Sequence, residues 1–348
     1  MKICLYSHVF LPRVGGVQTS SHQLAEGLTD LGHCVTIVTE IPADPDYDRQ
    51  FPFKVVRITD PDGWPAILKE HDILVSNGFS LKYLWKWRRG KIPFGWIHAM
   101  ALGSPKITDS VFWYFRYQSR RMALSFGDFN ICVSQWMKQH IKKSSAVVLP
   151  NALDPIFQPP AEPVPIGKVA YFGRMWLGKG LATLVDAMKI CRQAGREVPV
   201  DFWGEGTHQG IVEQQARDLG VSDLATFHPF LRGPALVQAI QQAKFVVVPT
   251  IVCETFGLVA AEAMACGRCV IGSKDGGMRE LLEGVCPIFD NGNAQQLADC
   301  MIDLLDHPED LRRREALALE RSKLYSRDRV CRQYADFFQS VVDRKKKK

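Results

Sequence analysis

Long hydrophobic runs are absent from this 348-residue chain. No stretch approaches the ~20 apolar residues that a membrane-spanning helix needs. The amino terminus runs as a short strand into Ser7 and His8, without the apolar length or small-residue cleavage site of a secretory leader. The ten cysteines are scattered without the paired spacing of a metal finger. That reads as reduced, largely buried thiols in a cytoplasmic protein, not as a disulfide framework. A dinucleotide fingerprint is missing too. Gly204-Glu205-Gly206 with Gly210 is one residue too long for GxGxxG, and no acidic residue ends a following strand at the required distance. A nicotinamide cofactor is therefore not expected, and Gly204 is left in a loop that could touch a nucleotide base. No internal repeat of short period appears, which excludes solenoids.

What is present is ordinary bulk with uneven charge. Hydrophobic residues make up 46% and charged residues 23%, as in globular proteins. The length exceeds one comfortable core, so two domains are expected. The net charge of +6 is not spread evenly. Residues 1–79 carry 6 Lys/Arg against 10 Asp/Glu, residues 80–143 carry 12 against 2, and the last five residues are all basic. Such asymmetry speaks of partners and not of fold.

Short apolar strands at 3–6, 35–39, 54–58, 73–75, 94–98 and 129–133 alternate with helices at 17–31 and 111–126. The pattern restarts with strands at 168–172, 198–203, 225–227, 245–248 and 269–271, and helices at 181–194, 207–219, 234–242, 258–266 and 295–305. Five prolines between 155 and 165 mark a linker. Strand–helix alternation on both sides of it implies an α/β protein of two doubly wound, Rossmann-like domains facing across a cleft. The expected divisions are 1–160, 161–325, and a terminal helix at 326–348 that packs back on the first domain and ends in a basic tail.

The residues that carry chemistry sit at strand ends. Glu254-Thr255-Phe256-Gly257-Leu258 and Glu262 follow the strand at 245–248, with one carboxylate in the loop and one two turns into a helix. Eight helical residues rise ~12 Å, whereas glycosidase carboxylate pairs stand roughly 5–9.5 Å apart. The pair therefore suits the two ends of an elongated ligand better than acid/base work on one atom. The helix start between them offers N–H groups to an anion.

Gly173-Arg174 and Lys179-Gly180 follow the strand at 168–172, where a guanidinium fork and an ammonium suit a diphosphate. Gly15-Gly16 opens the first helix, as a phosphate loop or as a plain turn. His98 ends a strand and is either structural or cleft-facing. Asp44, Asp46 and Asp48, and Asp60 with Asp62, give DxD spacings in proline-rich segments where Asp forms turns. No metal is expected. The basic region interleaves aromatics, Lys82 to Arg89 and 112–121, as a buried helix face, an anionic-membrane patch (80–121) or, least, a nucleic-acid surface.

Taken in order, these residues resemble the retaining glycosyltransferases of the GT-B fold, family 4. The resemblance rests on Gly15-Gly16, Gly32-His33, Pro150-Asn151-Ala152-Leu153-Asp154 with Phe157, Gly173-Arg174, Lys179-Gly180, the E-x7-E pair Glu254 and Glu262, and Gly276-Gly277 with Glu280. It spans nearly the whole chain. It implies a nucleotide-sugar substrate, UDP- or GDP-linked, held mainly by the second domain without a metal or other cofactor. Arg174 and Lys179 would neutralise the diphosphate, helped by backbone at Gly16 and Phe256 to Leu258. Glu254 would hold the sugar, Glu262 the ribose, and His98 would position the transferred sugar. The acceptor, a glycan, lipid or small molecule, would meet the first domain, at the cytoplasmic face of a membrane. A sugar-nucleotide epimerase of the same fold and a non-catalytic sensor are the competing readings.

Overall fold

The computed structural model describes residues 1–13, 15–43, 45–58, 61–78, 80, 82–99, 124–141 and 145–347. They form two compact units, Met1–Ala152 with Ser326–Lys348, and Leu153–Tyr325. In the first, β1 (Lys2–Tyr6), β2 (Cys34–Thr39), β3 (Lys54–Arg57), β4 (Ile73–Asn77), β5 (Phe94–His98), β6 (Phe129–Cys132) and β7 (Val147–Val148) make one parallel sheet. Its order is β3-β2-β1-β4-β5-β6-β7. The order reverses between β1 and β4, the point where doubly wound sheets open a crevice at their carboxyl ends. β4 and β5 are buried along their whole length and β1 from Ile3 onward, as expected of central strands in a doubly wound sheet.

One side of this core is aromatic. Tyr6, Trp64, Tyr83, Trp87, Phe94 and Trp96 are buried together. The short helix Leu84–Arg89 explains part of the basic-aromatic run: Leu84 and Trp87, three residues apart, turn inward, while Trp85 is 74% exposed. Residues 112–121 and most of the helix expected at 111–126 lie outside the described residues. The terminal helix Arg327–Lys346 belongs to this unit, pairing Arg327 with Glu26 and Asp30 and donating the Tyr334 hydroxyl to Leu149 O at 3.1 Å.

The second unit repeats the plan. Strands β8 (Val169–Phe172), β9 (Val200–Trp203), β10 (Ala225–His228), β11 (Val246–Val248), β12 (Val270–Ser273) and β13 (Ile288–Phe289) are parallel, in the order β10-β9-β8-β11-β12-β13. Its switch point lies between β8 and β11. Helix starts follow local chemistry. Asn293 accepts from Gln296 N at 3.0 Å ahead of Ala294–Asp306, and Pro308 with Glu309 and Asp310 opens Pro308–Ser322.

The division between units falls at Ala152/Leu153, ahead of the expected 160/161. The proline-rich stretch is bound to the second unit: Leu153 N donates to Tyr325 O at 2.9 Å and Gln241 Nε2 to Gln158 O at 2.7 Å. The single CxxC spacing, Cys266 and Cys269, joins a helix end to β12. Both thiols are buried and free, with Cys269 Sγ 3.9 Å from that of Cys286.

Candidate functional site

The loops after β8 and β11 meet at the second switch point. Gly180, at φ 71°, starts the helix Leu181–Gln193, and a Cβ there would stand 1.7 Å from Pro249 O. Only glycine allows this approach. Gly178 O then accepts from the Thr250 hydroxyl and Ile251 N, both at 3.0 Å, and Val252 N at 3.3 Å. The two loops are thereby stitched together, and Lys179 Nζ donates to Glu254 Oε1. The expectation gave Lys179 to the phosphates and Glu254 to the sugar as separate duties. In the fold they are one bonded pair, because the sheet places β8 beside β11.

Glu254 is also held from the other side. It forms a parallel bridge with Gly276, Gly277 N donates to its carbonyl at 2.6 Å, and a Cβ on Gly276 would lie 2.2 Å from that oxygen. Asn291, after β13, donates to Thr250 O at 3.1 Å and accepts from Asp275 N at 2.9 Å. Thr250 and Asn291 were missed by sequence reasoning. Thr250 follows a readable strand, but β13 has only two residues and carries no periodic signal.

Arg174 is exposed on the rim of an open cavity of about 800 Å³, lined with Met175, Trp176, Glu205, Gly206 and Thr207. Met175 N donates to Glu205 O (2.9 Å) and accepts, through its carbonyl, from His208 N (3.2 Å), so the loops after β8 and β9 form one wall. Gly173 and Gly204 abut beneath it, a Cβ on Gly204 falling 1.9 Å from Gly173 O. Tyr171, buried, donates its hydroxyl to Arg174 O at 2.9 Å. An exposed guanidinium, a groove and an ammonium–carboxylate pair thus share one sheet edge.

Phe256 is buried edge-on against Tyr325, centroids 5.4 Å apart, so Phe256 offers a ligand only backbone. Gly257, at φ 97°, begins the helix Leu258–Ala265 with no side-chain cap, so the helix start presents backbone N–H groups from Leu258 onward. Glu262 lies one turn into that helix, not two, and is 9% exposed. Burial, and then the charge of Asp154, push its carboxyl up to about 7. Between about pH 4.5 and 7 the folded chain keeps a proton that the unfolded chain has released. Stability therefore falls as pH rises through that window. Glu262→Gln, always neutral, should gain roughly 1–3 kcal/mol over the native chain at about pH 8 and nothing near pH 4.5. Melting curves at the two pH values test this; equal gains at both would show that the carboxyl is ordinary.

The first unit holds the other candidates. Gly15 precedes the helix Gly16–Asp30, which also has no side-chain cap. The loop before it is braced by Arg57, whose guanidinium donates to Leu11 O (3.0 Å) and to both oxygens of Asp48 (2.9 and 2.7 Å). Asn77 Nδ2 ties the helix to β4 through Ser21 (2.8 Å) and Ser20 (3.0 Å). His98 is 2% exposed with Nε2 3.0 Å from Asn130 Oδ1, and burial lowers its pKa to about 4, so it is neutral. Asp46 pairs with Arg49 and Asp48 with Arg57, in a 3-10 turn, Pro45–Gln50. Asp62 pairs with Lys86, while Asp44 and Asp60 lie outside the described residues. Among the described residues no three His, Cys, Asp or Glu side chains gather in a metal-holding group.

Two family profiles match along the chain. "Glycosyltransferase Family 4" covers residues 14–156 and "Glycosyl transferases group 1" covers 155–319. The chain belongs to the GT-B glycosyltransferases of family 4. This glycosyltransferase is 31% identical over 180 residues to a D-inositol 3-phosphate glycosyltransferase of Arthrobacter sp., a match spanning 49% of this chain and 42% of that one. Against the phosphatidylinositol N-acetylglucosaminyltransferase gpi3 subunit of Schizosaccharomyces pombe it is 24% identical over 346 residues, 87% of this chain and 73% of the other. In fold it resembles Anabaena HepE solved with UDP, with a TM-score of 0.81 at 19% identity, over 98% of this chain and 100% of that one. Among the described residues no helix is long and apolar enough to cross a membrane.

Proposed function

We propose that this glycosyltransferase moves a hexosyl group from a UDP- or GDP-sugar to an acceptor hydroxyl, with retention at the anomeric carbon and without a metal. The observation that carries the reading is the Lys179–Glu254 pair beside the Arg174 groove, at the carboxyl edge of β8 and β11. HepE, of like fold, has been solved with UDP and with UDP-glucose, which supports a nucleotide-sugar ligand. Arg174 and Lys179 would stabilise charge as the diphosphate leaves. Glu254 would accept from a sugar hydroxyl, Glu262 would bind the ribose, and neutral His98 would orient the transferred sugar. The bond from the anomeric carbon to the diphosphate breaks, the acceptor oxygen bonds to the same face, and its proton passes to the departing phosphate. No enzyme nucleophile is required.

A thermal-shift panel of UDP-, GDP- and ADP-sugars should show one base stabilising the chain by several degrees, equally with and without EDTA. Slow hydrolysis of that donor without acceptor supports transfer. A new nucleotide-sugar would instead indicate an epimerase, and binding without turnover a sensor.

The acceptor is proposed to be a polyol, glycan or lipid-linked hydroxyl. The names of the two relatives, which concern inositol phosphate and phosphatidylinositol, support that range. We place the protein in the cytoplasm, touching the inner membrane face through residues 80–121. Exposed Trp85, and Phe126 with the Arg88 guanidinium 5.3 Å above its ring, support the contact. Sedimentation at low salt should carry the protein down with anionic vesicles and leave it in the supernatant with neutral ones. Equal recovery with both removes the membrane from the proposal.

A further inference from the structure

The first unit has its own switch point, between β1 and β4, and ionisable groups gather around it. His8 follows β1, Glu40 follows β2, and Lys82 lies in the turn after β4. The Tyr6 hydroxyl donates to Glu40 Oε1 at 2.6 Å, and Lys82 Nζ donates to Glu40 Oε2. The His8 ring lies within electrostatic reach of Glu40 and against Gly78 at the end of β4, where a Cβ would come 3.3 Å from its Cε1. The cluster therefore spans the ends of three adjacent strands.

Its anchoring separates it from an ordinary surface ion pair, in which two mobile side chains meet to little effect. Tyr6 is fully buried and edge-on to Trp64 and Trp87, with ring centroids 5.5 and 5.3 Å away. Its hydroxyl is a fixed post for the carboxylate. The Lys82 side chain is 55% exposed; of the three donors of its ammonium, Glu40 takes one and the Tyr83 hydroxyl another, which leaves one for a ligand. The result is a positioned acceptor beside one reachable donor, at the sheet edge where this architecture binds ligands.

We propose that Glu40 and Lys82 form a polyol subsite that reads two neighbouring hydroxyls, the carboxylate accepting from one and the ammonium donating to the next. The two charges cancel, so a neutral polyol is favoured over a phosphate, which the carboxylate repels. Naming this polyol the acceptor rests on the transfer reading above; the subsite itself does not.

Ligand-observed NMR on the full chain tests it with myo-inositol as probe and inorganic phosphate as competitor. Binding should weaken roughly tenfold or more in Lys82→Met and in Glu40→Gln, the loss expected for a hydrogen bond to a charged group. The stabilisation by whichever nucleotide the thermal-shift panel selects should stay unchanged in both. Lys82 is exposed, so Lys82→Met keeps the test valid even if Glu40→Gln fails to fold. Equal binding by the native chain and Lys82→Met, no binding of myo-inositol by the native chain, or its displacement by phosphate each overturn the proposal. A native chain that binds myo-inositol but does not respond to any nucleotide would overturn the donor reading and leave the subsite supported.

Discussion

Lys179→Met should lower the rate of sugar transfer about 10²–10³-fold, the usual loss when one preorganised charge is removed from a developing anion. Lys179 Nζ is already bonded to Glu254, so the ammonium is held in place before a substrate arrives. Glu254→Gln should fall by a similar factor, because the amide no longer fixes Lys179 and accepts more weakly from a sugar hydroxyl. The double variant should be little worse than either single one, since each removes the same bonded unit. Stability separates this from a structural role. Lys179 and Glu254 are 33% and 22% exposed at the side chain, and a partly solvated pair contributes only about 0–1 kcal/mol. Melting temperatures should hardly move while rates collapse. Native-like turnover in Lys179→Met, or additive losses in the double variant, would remove the pair from the chemistry.

Gly180→Ala should be the most damaging small substitution in the second unit, at roughly 2–5 kcal/mol. Two effects combine there. The residue sits at φ 71°, left-handed backbone that a side chain strains, and its Cβ would lie 1.7 Å from Pro249 O, a backbone atom that cannot swing away. Relief requires the loops after β8 and β11 to part, which also separates Lys179 from Glu254. Activity should therefore fall with stability, unlike the Lys179 variant. Gly210→Ala is the control. It lies in the first turn of the helix Gln209–Asp218, a Cβ there meets nothing within 4 Å, and the change should be neutral or stabilising by up to about 1 kcal/mol. Thermal unfolding of the two variants side by side decides. If Gly180→Ala melts like the native chain, the two loops are not packed as described.

Much of the architecture was legible in advance. The alternation of short apolar strands with helices shows in local periodicity, and nearly every long element stands within a few residues of its expected place. The elements that escaped notice are short: Trp64–Lys69, Gln135–Ile141, Met278–Leu282, β7 and β13. Each is too brief to show a period and is held by neighbours, not by propensity. The proline-rich stretch read as a boundary because proline breaks periodicity, yet its hydrogen bonds place it within the second unit.

The sequence by itself determined the two-domain α/β plan, the family and the order of Gly15-Gly16, Arg174, Lys179, Glu254 and Glu262 along the chain. Those are properties of neighbours a few residues apart, where helix and strand periods act. Only the tertiary structure decided which of them touch. Lys179 bonds Glu254 across 75 positions, and Lys82 bonds Glu40 across 42. Both pairings follow from sheet order, which sets β8 against β11 and lines up the ends of β2, β1 and β4. In a parallel sheet, adjacent strands can be distant in the chain, and a spacing in sequence carries no record of which strand lies next to which.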